Sequence, residues 1–432
     1  MNSLFDKMKS ASILSLMKNR LIKNMSWLFI LNFSNTIIPY FTFPYITRIF
    51  LPEGYGIISF SLSFVAYFQT FINYGFNLTG ARKIATAEGD EEELSRIYTS
   101  IISTKFLFFF TSLALIILIT LLNSKLFEYR SIIFIFILLV LGNTLMPVWI
   151  FQGLQRVRDM TIVSLTVRIA FMICVFTLIK SPSDIPLYAV LYSVSFLIIG
   201  IISMVVVRIQ IKVKFCKINF KDIINMIKDG FYVFTSSAVI SVMDSTGIFV
   251  LGLFYLAEYS GYYSGISKIT QVITMLFYPI GQALFPYHSK KYAVSFKNGY
   301  SSVIRIAKMV IPLFAFFAVI VFLLRKSIVL LVLGDAYVSV ANLLIIMSFL
   351  PLISIMSNFI GTQILVASGH TKEYSRAFLR GSLISVFLYF TLGYFYAIWG
   401  VAIAAVFGSI TNLALLYLEV HYILINDKEV WI

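Results

Sequence analysis

Seven ionisable side chains lie inside otherwise apolar stretches: Lys105, Arg168, Lys268, Arg305, Lys308, Arg380 and Asp244. A charge in hydrocarbon costs at least about 3 kcal/mol, so each one needs a partner, a route to water or a task. Six cations against one carboxylate cannot neutralise one another. An unbalanced positive set of this kind suits recognition of an anion, such as a phosphate or an acidic sugar. Lys105 and Arg168 are about eight residues from the ends of their stretches and are read as facing a cargo path. Arg48 ends the first stretch and can point into the same space, while Lys268 lies near the far end of its own. With Arg380 these make five candidate anion-binding residues. Arg305, Lys308 and Arg380 lie close enough to a stretch end to reach water by snorkelling, an equal reading for those three. Asp244 is the candidate ion-coupling residue. At mid-membrane depth an ionised carboxylate is costly, so proton binding and release there is a usable event. Its rival role is a fixed salt bridge to Lys268.

Other chemistry is missing from the sequence. His288, His370 and His421 are far apart and give no metal-ligand spacing. No glycine-rich phosphate loop occurs. The run Asp90-Glu91-Glu92-Glu93 lacks calcium-loop spacing and fits the start of a helix, where negative charge suits the dipole. Cys174 and Cys216 are read as plain thiols. No cofactor and no enzymatic centre are expected.

The elements that must hold the charged groups are membrane helices. Of 432 residues 59% are hydrophobic and only 12% charged, with mean hydropathy +0.92. A soluble protein is about a quarter charged. Apolar segments near 25–47, 56–80, 97–122, 131–152, 160–179, 185–207, 230–255, 263–286, 303–324, 341–366, 377–396 and 399–424 have the length of bilayer-crossing helices. They lack the alternation of an outer-membrane barrel. The fold class expected is therefore an all-α integral membrane protein of about twelve spans. Residues 1–23 place Ile13, Leu14, Leu16, Met17 and Leu21 near one face, which predicts a helix lying on the membrane. The net charge of +15 points to membrane loops rather than nucleic acid. With the N-terminus inside, 22 of the 34 Lys and Arg fall in inner segments and 6 in outer ones. That bias predicts cytoplasmic termini at both ends. Pro39, Pro44, Pro147, Pro279, Pro312 and Pro351 interrupt the spans and predict kinks.

The chain also repeats itself. At an offset of 205, Ile22, Lys23, Phe29, Glu53, Gly56 and Ser59 match Ile227, Lys228, Phe234, Glu258, Gly261 and Ser264. Six spans per half keep both halves in the same orientation, related by an axis along the membrane normal with a cavity between them. The expected division is 24–207 for the first half, a basic cytoplasmic linker at 208–229, 230–424 for the second half and a cytoplasmic tail at 425–432.

Two segments carry a family likeness. Tyr55-Gly56, Tyr74-Gly75-Phe76-Asn77-Leu78 and Ala81-Arg82-Lys83-Ile84-Ala85 form the first. Pro147-Val148-Trp149-Ile150-Phe151-Gln152-Gly153-Leu154-Gln155 forms the second. Together they resemble the polysaccharide transporter (Wzx-type O-antigen flippase) family of the multidrug/oligosaccharidyl-lipid/polysaccharide exporter superfamily. The resemblance implies that superfamily's fold and alternating access through a cationic lumen. It also implies movement of an undecaprenyl-pyrophosphate-linked oligosaccharide between the leaflets of a bacterial inner membrane. Arg48, Lys105 and Arg168 map plausibly onto that lumen. Partners expected are the lipid-linked oligosaccharide, membrane lipids and other polysaccharide assembly proteins such as a polymerase and a chain-length regulator. Two rivals are weaker. A multidrug antiporter should carry more intramembrane carboxylates than Asp244, and a polymerase should carry large outer loops with paired acids.

Overall fold

The computed structural model describes residues 2–426, and the side chains of Trp27 and of Ile38 to Ile425 other than Ser236. The amphipathic face expected on 1–23 lies outside the described side chains, and the tail beyond Asn426 lies outside the described residues. No strand occurs among the described residues. The helices follow in chain order as α1 (Asn2–Asn73), α2 (Phe76–Thr86), α3 (Glu91–Leu122), α4 (Ser124–Glu128), α5 (Arg130–Leu145), α6 (Val148–Gly153), α7 (Val157–Leu178) and α8 (Ile185–Val206). The second half contributes α9 (Phe220–Phe254), α10 (Ala257–Tyr292), α11 (Phe296–Leu323), α12 (Arg325–Leu333), α13 (Leu344–Met347), α14 (Leu350–Asn358) and α15 (Thr371–Asn426).

Among the described residues nine segments are long and apolar enough to cross a membrane. The number differs from the twelve expected for local reasons. Two of the segments, Ile38–Thr86 and Thr371–Ile425, are folded back at a kink. The 36-residue α10 has its hydropathy diluted by tyrosines, serines and Lys268. The kink in α1 is at Leu51, with φ 56° and ψ 178°, just before Pro52. A left-handed leucine is unfavourable, and the proline ring further restricts that residue. In α15 the reversal falls on Tyr396 and Ala397. The acidic run 90–93 behaves as its sequence requires: Asp90 caps α3 by accepting from the Glu92 and Glu93 amides at 3.1 and 3.0 Å. The π-helical turn Val207–Ile211 ends α8, and Lys212 breaks it with φ 62°. Only 212–219 of the expected linker is non-helical, because an Asn219–Asp222 capping box starts α9 ten residues early.

The halves meet on a symmetric contact. A methyl group on Gly56 would lie 1.8 Å from the Ala257 carbonyl oxygen, and one on Gly261 would lie 1.8 Å from that of Pro52. Gly56 and Gly261 are repeat partners at offset 205, and so are Pro52 and Ala257. The reciprocity places a local two-fold axis between the glycines, and glycine alone permits the approach. From there the second arm of α1 (52–73) runs along α9. Phe60 and Phe64 stack on Phe249, Tyr67 meets the Thr246 hydroxyl at 3.1 Å, and Thr70 donates to Ser241 at 2.7 Å.

Candidate functional site

The seam between the halves has two ends. At the kink end, beyond the paired glycines, the Arg48 guanidinium donates to the Leu331 carbonyl at the end of α12. A cation suits that helix terminus. At the linker end, Lys83 pairs with Asp229 at 2.6 Å and Arg96 with Asp222 at 2.8 Å. Arg96 also holds the Asp222 carboxyl below its ordinary range. Tyr74 stacks on Phe234 with centroids 4.5 Å apart, over Gly230. Both ends of the seam between the halves are therefore joined.

Between them, where α1, α8 and α10 approach, lies a cavity of about 110 Å³. Its walls are tyrosines and phenylalanine (Tyr40, Phe43, Tyr55, Tyr188 and Tyr192), and its charge is Lys268. The sequence builds this wall simply. Tyr188 and Tyr192 are one helical turn apart on α8 and stack at 6.0 Å, while Pro39, Tyr40 and Phe43 line the cavity from the first arm of α1. The Lys268 ammonium sits 5.6 Å from the centre of the Tyr40 ring. Such a contact favours the cation yet leaves its hydrogen-bond donors open. Tyr55 also reaches the Ser59 and Ser264 hydroxyls, another repeat pair. A cavity of this size takes several waters and excludes a sugar chain.

The candidates from the sequence occupy different places. Lys268 lines the cavity. Arg168 is buried just behind its tyrosine wall, within electrostatic reach of Tyr192, with its guanidinium 5.0 Å above the Phe196 ring. No carboxylate pairs with it among the described residues, and its Nε has no hydrogen-bond partner. Asp244 is exposed on α9, within electrostatic reach of Lys268, Tyr263 and Tyr389. Asp244 and Lys268 do not form a direct ion pair among those present in the described residues. Lys105 is elsewhere. It is 2% exposed, and its ammonium donates to the Asn143 carbonyl at 2.7 Å and the Met146 carbonyl at 3.3 Å. It closes the end of α5 that Pro147 breaks off, where carbonyls lose their helical donors. Arg48 is at the seam, outside the cavity. Arg380 is exposed on the face of α15 that carries Leu383, Ile384 and Phe387, the setting of a snorkelling side chain. Arg305 and Lys308 are likewise exposed, beside Met309.

The tyrosine wall escaped the sequence reading, and a second tyrosine cluster, Tyr255, Tyr259, Tyr262 and Tyr263, lies where α9 passes into α10. Three of those are half-buried, with Tyr255 bonded to the Tyr394 carbonyl and Tyr262 set edge-on to Tyr337. Tyr263 is buried with Tyr389 beside Asp244. The missed signal was tyrosine recurring at i, i+4 in the first turns of an apolar span.

An all-helical bundle of two repeat-related halves, kinked spans and a small cation-lined cavity at the seam define a multi-pass membrane transporter of the multidrug/oligosaccharidyl-lipid/polysaccharide exporter fold. Solved structures agree. An inward-facing multidrug resistance transporter of the MATE family superposes with a TM-score of 0.69 at 11% identity, covering 92% of this chain and 96% of its own. The lipid II flippase MurJ, in an inward closed conformation, superposes with 0.67 at 17% identity, covering 89% and 87%. Within that fold the chain belongs to the polysaccharide biosynthesis protein family, whose model matches residues 21–292. It is 28% identical over 413 residues to a candidate O-antigen transporter of Escherichia coli (strain K12), covering 94% of this chain and 99% of that one. A second candidate O-antigen transporter, from Shigella dysenteriae, is 29% identical over 394 residues, covering 90% and 97%.

Proposed function

We propose that the protein flips a lipid-linked oligosaccharide, with an undecaprenyl-pyrophosphate carrier, from the inner to the outer leaflet of a bacterial inner membrane. The observation that carries this reading is the unbalanced positive charge at the seam. Lys268 lines the cavity over the Tyr40 ring, and Arg168 stands behind a tyrosine wall with no carboxylate partner among the described residues. An anion entering between the halves meets both fields, while the tyrosines offer the flat, hydroxyl-bearing surface that sugars use. The lipid tail stays in hydrocarbon. The pyrophosphate and sugars cannot cross bare lipid, because an unpaired charge there is prohibitively costly.

With the linker end toward the cytoplasm, as the basic loops require, the conformation described is closed at both ends of the seam between the halves. Loading requires the Lys83–Asp229, Arg96–Asp222 and Tyr74–Phe234 contacts to part. Release requires the Gly56–Gly261 and Arg48–Leu331 contacts to part. Alternating the two gives the cargo a wet path with one barrier always shut. A cell interior that is negative favours outward movement by about 2.3 kcal/mol per negative charge per 100 mV. Asp244, facing Lys268 without a direct bond, is the group assigned to ion coupling. Polymerase and chain-length regulator are the partners assigned downstream of the flipped unit.

The test is a deletion strain. It should accumulate the complete, unpolymerised lipid-linked unit on the inner leaflet, out of reach of an externally added lectin. Restoration by Lys268→Arg but not Lys268→Met, at equal protein levels, supports the anionic-cargo reading. Accumulation on the outer leaflet instead overturns it in favour of a polymerase.

A further inference from the structure

A second cavity, of about 240 Å³, lies within the C-terminal half, among α9, α14, α15 and the π-helical turn Phe359–Val366. Seven side chains that line it carry hydrogen-bonding groups, among them Ser354, Asn358, Thr362, Tyr374, Ser409 and Asn412. None of its lining residues is charged. Asn358 already donates to the Thr362 hydroxyl at 3.4 Å and accepts from Gln363 Nε2 at 3.3 Å, whereas Asn412 Oδ1 is left unsatisfied, which is costly in a bundle surrounded by lipid unless a ligand or water reaches the group.

Three details narrow the choice. First, Asn412 is 4% exposed, its Oδ1 has no partner, and its Nδ2 has only the Met243 sulfur at 3.8 Å. Second, the π-helical turn that follows Asn358 and carries Thr362 is firmly pinned. Gln363 Nε2 donates to the Gly281 carbonyl at 2.9 Å, which fixes the amide orientation. Gln363 Oε1 then faces buried His288 Nδ1 at 2.9 Å, so that nitrogen carries the proton. Wide turns of this kind recur at functional sites because they re-aim side chains. Third, Tyr374 and Phe378 stack at 5.8 Å and 20° and supply a flat wall. Hydroxyls and amides without charge, beside an aromatic face, match a neutral pyranose ring.

We infer that this cavity is a subsite for an uncharged sugar residue of the lipid-linked cargo, separate from the cationic cavity that takes its phosphates. This inference rests on the anionic-cargo reading above and adds a neutral-sugar contact within the C-terminal half. Met243, on the wall of this cavity, adjoins Asp244, which is within electrostatic reach of Lys268 in the cationic one.

The experiment uses the full chain in nanodiscs and two probes. One is undecaprenyl diphosphate. The other is the same lipid bearing its oligosaccharide, extracted from the deletion strain. The wild type should bind the sugar-bearing lipid about tenfold to thirtyfold more tightly than the bare diphosphate, the weight of two ordinary hydrogen bonds. Thr362→Val with Ser409→Ala should remove most of that advantage and leave the bare diphosphate affinity unchanged. Asn412→Leu should do the same, and the milder double variant keeps the test valid if Asn412→Leu misfolds. Equal wild-type affinity for the two lipids overturns the sugar subsite while sparing the anionic-cargo reading. Binding of neither lipid overturns that reading and the subsite with it. Stabilisation of lipid-free wild type by sodium chloride, abolished in the double variant, overturns the subsite in favour of a cation site.

Discussion

Lys105→Met separates two roles that a buried lysine can play. The substitution keeps the aliphatic stem and deletes the ammonium that donates at 2.7 and 3.3 Å to the Asn143 and Met146 carbonyls. A hydrogen bond to a charged group contributes about 1.5–3 kcal/mol, and a buried orphan carbonyl costs about 1–3 kcal/mol. Against that stands relief from burying an ammonium, which is itself several kcal/mol unfavourable. The shorter contact dominates, and a net loss of about 1.5–3 kcal/mol is expected, roughly tenfold to a hundredfold in the local equilibrium. The loss falls on the break between α5 and α6, which carries Trp149, buried against Tyr98 and Gly80. Thermal unfolding of the purified protein, followed by size-exclusion chromatography, should show a lower midpoint for Lys105→Met. Lys105→Arg, which retains donors, should recover part of it. Export in cells should fall only as far as protein level falls. Wild-type stability in Lys105→Met combined with lost export at normal protein level would refute the capping role and return Lys105 to the cargo path.

Arg168→Met should behave in the opposite way. An unpaired buried cation gives little stability, so the unfolding midpoint should hold or rise while surface polysaccharide falls several-fold at equal expression; a clear fall in the midpoint with unchanged export refutes this. Gly261→Ala places a methyl group where 1.8 Å separates it from the Pro52 carbonyl oxygen, so the kink end should open. Labelling of a Ser59→Cys reporter by a membrane-impermeant maleimide, in a background lacking Cys174 and Cys216, should rise; unchanged labelling means that the strain is taken up elsewhere. The Asp222 carboxyl is held below its ordinary range by Arg96, so its contribution is present above the unfolded value and is lost only as pH falls through the lower folded one. Hydrogen exchange at the Lys214–Lys217 amides, corrected for intrinsic rates, should therefore be flat from about pH 7 to pH 5 and rise below about pH 4, a rise that Asp222→Asn removes. Loosening already near pH 6 points to another group.

Span-length apolar runs were legible because hydrocarbon thickness fixes helix length: α7 and α8 lie within about three residues of their expected bounds, while α3 and α11 end where expected but start about six or seven residues earlier. The repeat was legible too, since Gly56 and Gly261 do one job twice. What the sequence hid was direction. Depth along a span placed Lys105, Arg168 and Lys268 alike inside the membrane, yet depth does not say which way a side chain faces. Lys105 turns to a broken helix end that exists only because Pro147 interrupts α5 two residues after its last turn. The tyrosine wall was hidden by its composition. Tyrosine counts as apolar in a hydropathy sum, and Tyr188 and Tyr192 read as part of a span until the fold turns them onto Tyr55 and Lys268. The uncharged cavity left still less trace, because serine, threonine and asparagine scattered over three helices have no spacing in common.

The paired glycines also act as a fulcrum. From Gly56 and Gly261 the second arm of α1 and the whole of α9 extend toward the linker as long rigid levers, and 35 residues of α9 measure about 52 Å. A tilt of about 10° at the fulcrum, small enough to leave helix packing within its normal scatter, displaces the far tip by roughly 9 Å. That displacement is far beyond the reach of the Lys83–Asp229 and Arg96–Asp222 pairs. Parting at that end is therefore close to all-or-none, while the fulcrum itself barely moves. Closure works with the same mechanical advantage in reverse, so two surface ion pairs at the tips, modest in energy, suffice to hold the whole seam shut.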